Sequence, residues 1–130
     1  MLTFHIRGEP KPKLRPKFAR MGKFVHAYTP KKTINAEADV RTQIINQLPD
    51  NFSPMTGPLR MEATFRRVRP KSKKKSDIWP TTRPDLDNYL KLVLDAMNSV
   101  VFVDDSQLVS ITAVKSYGEP GIDIIIEEVV

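Results

Sequence analysis

The stretch RPDLDNYLKLVLDAMNS, from Arg83 to Ser99, reads as an amphipathic helix whose polar side carries Asp85, Asp87, Asn88, Lys91 and Asp95. A second acidic spot, Asp104-Asp105, follows a few residues later. Carboxylates are hard oxygen donors, and three of them suit Mg²⁺, which keeps several waters and binds a substrate phosphate. Such an ion polarises a phosphodiester and activates water for attack. Lys91 would then stabilise charge on the phosphate or orient the attacking water. The same residues also admit a purely structural reading. Asp85 is a good N-cap, first-turn acids suit the helix dipole, Asp87 and Lys91 are spaced as an i,i+4 pair, and Asp104-Asp105 could simply end a loop. A bare D-x-D does not decide between the two.

Spacing restricts the first reading. Residues two apart in a helix point about 200° apart around its axis. Asp85 and Asp87 can therefore share a ligand only if Asp85 stays extended at the N-cap and Asp87 sits in the first turn. Lys91 is one turn beyond Asp87, and Asp95 one turn further. A short turn after Asn98-Ser99 could return Asp104-Asp105 toward the start of the helix. His5 falls on an expected strand and His26 in a basic arm, so neither is a good catalytic candidate.

The elements that would position these residues follow from periodicity. Leu2, Phe4 and Ile6 alternate with polar residues as a short strand. PKPKLRPKFARMGKF then carries three prolines, which argue for an extended basic arm over about 9–28. Phe18, Phe24 and Tyr28 lie among its cations and could stack on bases, but the expected role is to pin the arm onto the core. Thr29-Pro30 starts a helix to about Leu48, with Ile34, Ala38, Ile44, Ile45 and Leu48 as its apolar stripe. PDNFSPMTGP is a turn-rich connector. Leu59, Met61, Ala63 and Phe65 form the clearest strand, and the basic loop at about 66–83 has no periodicity. The core face of the second helix is expected at Leu86, Leu90, Val93, Leu94 and Met97. Val109, Ile111 and Ala113 mark the next strand, YGEPG a turn, and IDIIIEEVV the last strand. The order predicts a single α+β domain with a mixed sheet of about four strands against two main helices.

A chain of 130 residues, 40% hydrophobic and 28% charged, fits one soluble globular domain. It has no cysteine, no membrane-length apolar run and no basic, apolar leader, which together point to a cytoplasmic protein. The net charge of +6 is unevenly distributed. Arg7 to Lys32 holds nine Lys or Arg against one Glu, and Arg66 to Arg83 holds eight against one Asp. Two such blocks separated by acidic elements suit a nucleic-acid partner. A membrane surface fits less well, because neither block is an amphipathic helix with bulky apolar residues opposite its charges.

RPDLDNYLKLVLDAMN followed by VFVDDSQLV resembles the RusA family of Holliday-junction resolvases, endodeoxyribonucleases often carried by phages and prophages. The family pattern runs D-x-D-N-x-x-K, then an L-D-A-L-N-like helix end, then D-D-x-Q entering a strand. GEPKPKLRPKF and YTPKKT are similar to the family's arm and first helix, so the resemblance spans nearly the whole chain. It implies that Asp85, Asp87 and Asp105 are catalytic, metal-binding carboxylates and that Lys91 is the essential lysine. Asp104 and Asn88 are supporting residues. Ser99 stands where a glycine is common, Leu108 replaces a β-branched residue, and the basic loop is longer than in some relatives.

The expected activity is Mg²⁺-dependent cutting of four-way DNA junctions, with Mn²⁺ able to substitute, by a homodimer that makes two symmetric cuts. Lys11, Lys13, Arg15, Lys17, Arg20 and Lys23 of the arm, with Arg67, Arg69, Lys71, Lys73, Lys74 and Lys75 of the loop, are the expected phosphate contacts. The alternatives are a non-catalytic nucleic-acid-binding protein and a nuclease for other branched DNA such as flaps.

Overall fold

Alternation builds the sheet. In β1 (Leu2–Arg7), β4 (Leu59–Arg67) and β6 (Gly121–Glu128), every second residue is buried: Phe4 and Ile6; Leu59, Met61, Ala63 and Phe65; Ile122, Ile124 and Ile126. With β5 (Leu108–Tyr117) these strands form one mixed sheet, order β1-β6-β4-β5, in the computed structural model, which describes residues 1–130. β6 is antiparallel to β1 and β4, whereas β4 and β5 are parallel and joined through the helix α2 (Leu86–Met97). A parallel pair needs a long crossover, and α2 with the basic loop before it supplies one. The helix α1 (Lys31–Gln47) packs on α2 and β1. The α+β domain expected from the sequence is therefore present, with both helices on one sheet face.

α1 starts one residue later than expected, with Pro30 rather than Thr29 at the N-cap and no side-chain cap. Its buried face is also different. Thr33, Val40 and Ile44 are buried, while Ile34, Ala38 and Ile45 are exposed. Two glutamines explain this orientation. Gln43 bonds the main-chain N–H and C=O of Arg7 at 2.8 and 3.1 Å, and Gln47 those of His5 at 2.9 and 2.8 Å. The side-chain amides act as a substitute strand on the open edge of β1, which would otherwise present unpaired backbone.

α2 buries Tyr89, Leu92, Val93, Ala96 and Met97, so the expected face is turned, with Leu86, Leu90 and Leu94 only half-buried at its margins. Tyr89 stacks on Phe65, ring centroids 5.3 Å apart, and fixes the helix over β4. On β5 the expected alternation does not bury Val109 or Ile111, because β5 is the other sheet edge and only Leu108 and Ala113 reach the core.

The arm departs most from expectation. β2 (Lys17–Met21) and β3 (Phe24–Tyr28) form an antiparallel hairpin through Gly22-Lys23. The prolines at 10, 12 and 16 all precede the ladder, and Gly22, with a φ of 61°, accepts the positive φ that tight hairpin turns need. Phe18, Phe24 and Tyr28 are exposed, so they do not pin this segment to the core.

After α2 the chain turns at Ser99, whose φ is 65° and whose N–H donates to Phe102 O at 2.8 Å. Left-handed backbone disfavours any residue with a Cβ, which explains why glycine suits this position. Ser99→Gly should raise the unfolding free energy by about 0.5–1 kcal/mol, the strain relieved less the entropy glycine adds to the unfolded chain. Urea denaturation checks this, and an unchanged or lower midpoint would count against it.

Candidate active site

The start of α2 sets the site. Asp85 occupies the N-cap with extended backbone, φ −73° and ψ 148°, and Asp87 lies in the first turn. This is the geometry that lets residues two apart work on one side. The Asp85 carbonyl accepts from the N–H groups of Asn88 at 3.1 Å and Tyr89 at 3.2 Å, yet its carboxylate makes no capping bond. An N-cap aspartate ordinarily offers that carboxylate to an N2 or N3 amide. Here Asp87 Oδ1 instead accepts from Asn88 N–H at 3.0 Å, and the Asp85 side chain is left exposed.

Two cations hold the chain just before the N-cap. Lys115 Nζ donates to the carbonyls of Thr82 and Pro84, each at 3.1 Å, and Arg67 Nη1 donates to Thr82 O at 3.1 Å. Lys115 was not singled out from the sequence. Its signal is a lysine on a strand position that pairs with the buried Phe65 and so faces the helix side of the sheet.

The second acidic spot is built by a reciprocal cap. Asp104 accepts from Ser106 N–H at 3.0 Å, while Gln107 Oε1 accepts from Asp104 N–H at 3.0 Å, closing a 3₁₀ turn over Asp105–Gln107. The hydrogen bonds from Ser106 hold the Asp104 carboxyl below its usual range, and the charge of Lys91 adds to them. Asp105 N–H donates to Asn98 Oδ1 at 2.9 Å, which ties the turn to the end of α2. Gln107 Nε2 reaches the carbonyls of Met55 at 2.9 Å and Gly57 at 3.0 Å, anchoring the turn to the connector before β4.

The acids therefore divide into two kinds. Asp95 accepts from Lys13 at 2.9 Å and Lys91 at 3.3 Å, so Lys91 pairs with Asp95 and not with Asp87. Burial alone would lower the Lys13 ammonium, but the bond to Asp95 and the charges of Asp95 and Glu37 raise it above its ordinary value. Asp104 is occupied as a cap. Asp85, Asp87 and Asp105 enter no ion pair. These three offer the hard oxygen donors that Mg²⁺ favours, but Asp105 is tied to Asn98 at the C-terminal end of α2, whereas Asp85 and Asp87 lie at its start. They fit such an ion by donor chemistry but are not gathered into a closed cage, since no three Asp, Glu or His side chains form a ready cation-binding group. His5 binds Asp123 at 2.8 Å and His26 lies on the hairpin, so neither belongs to this site.

The expected phosphate contacts also divide. Lys13 faces Asp95 and Glu37, Arg67 holds Thr82, and Arg69 lies 5.3 Å over the Tyr117 ring. Lys73 is half-buried. Lys11, Arg15, Lys17, Arg20, Lys23, Lys71, Lys74 and Lys75 are exposed on the arm and the loop. A concavity of about 770 Å³ lies elsewhere, between residues 6–14 and the first half of α1, and none of the candidate acids lines it.

Fold and site together define a basic α+β protein that presents free carboxylates at a helix start between two cationic segments. Residues 7–127 match the family model described as Endodeoxyribonuclease RusA. The chain is 34% identical to the uncharacterized protein YqaN of Bacillus subtilis (strain 168), over 98% of this chain and 96% of that relative. It is 36% identical to the crossover junction endodeoxyribonuclease rusA of Lactococcus phage r1t, over 69% of this chain and 70% of that one. The chain belongs to the RusA endodeoxyribonuclease family.

Gln107 is the anchor of the acidic turn. Gln107→Ala should lower stability by about 1–3 kcal/mol, because two carbonyls and the Asp104 N–H lose their partner. Gln107→Glu should cost at least as much, since it sets a negative acceptor against both carbonyls. Denaturant titration of both variants checks the anchor, and wild-type stability in both would remove it.

Proposed function

We propose that this protein is a Mg²⁺-dependent endodeoxyribonuclease that resolves four-way DNA junctions in the cytoplasm, as a homodimer, with Mn²⁺ able to substitute. The reading is supported above all by the Asp85 carboxylate, which sits at an N-cap without capping. A helix start that leaves its best capping group unused, beside an Asp87 that enters no ion pair, is better suited to binding a ligand than to stabilising the helix. No helix of the chain is long and apolar enough to cross a membrane.

Asp85, Asp87 and Asp105 would hold the metal, which when bound supplies Lewis-acid polarisation of the scissile phosphate and an activated water. Lys91 projects one turn beyond Asp87 and would stabilise the charge that develops on the phosphate. Asp95 orients Lys91, Asp104 and Gln107 set the height of Asp105, and Asn88 lies beside Asp87 in the first turn. Lys115 acts as a positioning residue by fixing the carbonyls on the approach to Asp85. The exposed cations of the arm and loop would bind backbone phosphates without reading sequence. Two cuts related by two-fold symmetry follow from one such site in each subunit of a C₂ dimer.

Asp87→Asn should still bind a labelled four-way junction but lose Mg²⁺-dependent cutting by about 10³-fold or more, as removal of a group that acts only at the reacting phosphate predicts. Gel assays with junction, flap and linear duplex check this and rank the substrates. Normal cutting by the variant would remove the assigned metal site, and binding without nicking under any divalent ion would leave only a DNA-binding protein.

Lys115→Met keeps the length of the side chain but removes both carbonyl bonds. Its cutting should fall most at limiting Mg²⁺ and recover in part at saturating Mg²⁺, with junction binding little changed and the unfolding midpoint lowered by the lost bonds. A uniform loss at every Mg²⁺ concentration would contradict a positioning role.

A further inference from the structure

The β2-β3 hairpin is the one element without a structural partner. Its strands pair only with each other, and all ten strand residues are exposed. An isolated two-stranded hairpin is marginal in water, and large apolar side chains left on one mark an interaction surface. Phe18 is 71% and Phe24 78% exposed, with Met21 and Val25 similarly open. The hairpin from Lys17 to Tyr28 also carries Lys17, Arg20 and Lys23 and no acid.

Register arranges these groups. Met21 faces Phe24 across the turn, so both side chains project from one face at the tip, with Lys23 between them in the turn. Further down, Arg20 faces Val25 and Lys17 faces Tyr28. The result is an apolar tip with cations behind it. Five residues of strand place the tip about 17 Å from its root.

The root is fixed beside the candidate centre. Lys13 N–H donates to Asn88 O at 2.9 Å, and the Lys13 ammonium pairs with Asp95 at 2.9 Å, so the arm leaves from the helix that carries Asp85 and Asp87. Leu14 N–H is held by Thr33 Oγ1 at 3.1 Å on the other side. The hairpin therefore begins only a few residues after a point bonded to the first turn of α2, next to Asp87.

We propose that the Met21–Phe24 tip is an apolar wedge that stacks against open base pairs at the branch point of a DNA junction, with Lys17, Arg20 and Lys23 on the flanking phosphates. The inference rests on the junction-cutting reading above. Apolar wedges of Phe and Met enter base steps at a cost of a few kcal/mol per unstacked step. That cost is least where pairing or stacking is already broken. A branch point supplies such a step and an intact duplex does not, so the tip would favour branched DNA over linear. The three cations of the hairpin, with no acid beside them, complement a polyanion, whereas a second copy of this chain carries the same net charge of +6.

The test uses a four-way junction with 2-aminopurine next to the crossover, and the surface variant Met21→Ser/Phe24→Ser. Wild-type binding without Mg²⁺ should raise the fluorescence as the reporter base unstacks. The variant should bind in the same salt-dependent way but lose the rise. With Mg²⁺ its junction cutting should fall by about tenfold or more, the size of one lost aromatic–base stack, while linear-duplex binding is unchanged. If wild type cuts the junction and the variant keeps both signal and rate, the wedge is overturned alone. If the variant only changes a dimer into a monomer in sedimentation, the tip is a protein contact and the wedge is again overturned. Wild type that neither binds nor cuts the junction overturns the resolvase reading and the wedge with it.

Discussion

The half-turn of extended backbone at Asp85 is the constraint on which the candidate centre depends. Were α2 to begin one turn earlier, Asp85 and Asp87 would point to different sides of the helix and could not serve one ligand. The extended φ and ψ at Asp85 prevent this, and the segment before it is held by the Lys115 and Arg67 bonds to Thr82 and Pro84. Position is thus imposed from outside, by β4 and β5. The carboxylate itself is relieved of any part in holding the helix start, and so remains available.

The same division of labour runs through the polar groups around it. Asp104 and Asp95 occupy positions in the family motif comparable with those of Asp85 and Asp105, yet their carboxylates are engaged. Asp104 closes the 3₁₀ turn, and Asp95 joins Lys91 to Lys13. The cations behave alike. Arg41 donates to the carbonyls of Asp95 and Ala96 at the end of α2, and Arg66 pairs with Asp123 on the sheet. The groups that fix geometry here are paired, whereas Asp85 at the helix start and the exposed lysines of the arm and loop enter no ion pair.

What could be read in advance follows from how strongly one physical signal dominated each element. β1, β4 and β6 have one face in the core, so Phe4, Met61 and Ile124 announce their strands by strict alternation. The N-cap position of Asp85 follows from helix geometry once Asp85 and Asp87 are required to share a ligand. α1 was misread because its interface is partly polar: Gln43 and Gln47 serve the backbone of β1, so Ile34 and Ile45 are displaced outward. β5 was misread because an edge strand can expose Val109 and Ile111 without an alternating pattern revealing it. The hairpin was hidden by prolines whose effect ends at residue 16, while the turn depends on one glycine, Gly22. Lys115 could not be found by motif, since its partners are main-chain carbonyls of Thr82 and Pro84, distant in sequence.

Electrostatic range explains why the cationic segments must be rooted where they are. At physiological salt, charges in solvent are screened within about 8 Å, so a remote cation cannot relieve repulsion between carboxylates and an approaching phosphate. Both segments meet α2 at its first turn. The arm is bonded through Lys13 to Asn88, and the basic loop ends at Thr82, immediately before the N-cap. Positive charge thus arrives next to the acids with the backbone that carries them, which eases the approach of a polyanion. Net charge alone would not achieve this. The same +6 spread evenly over the surface would attract DNA but leave the phosphate repelled at the carboxylates.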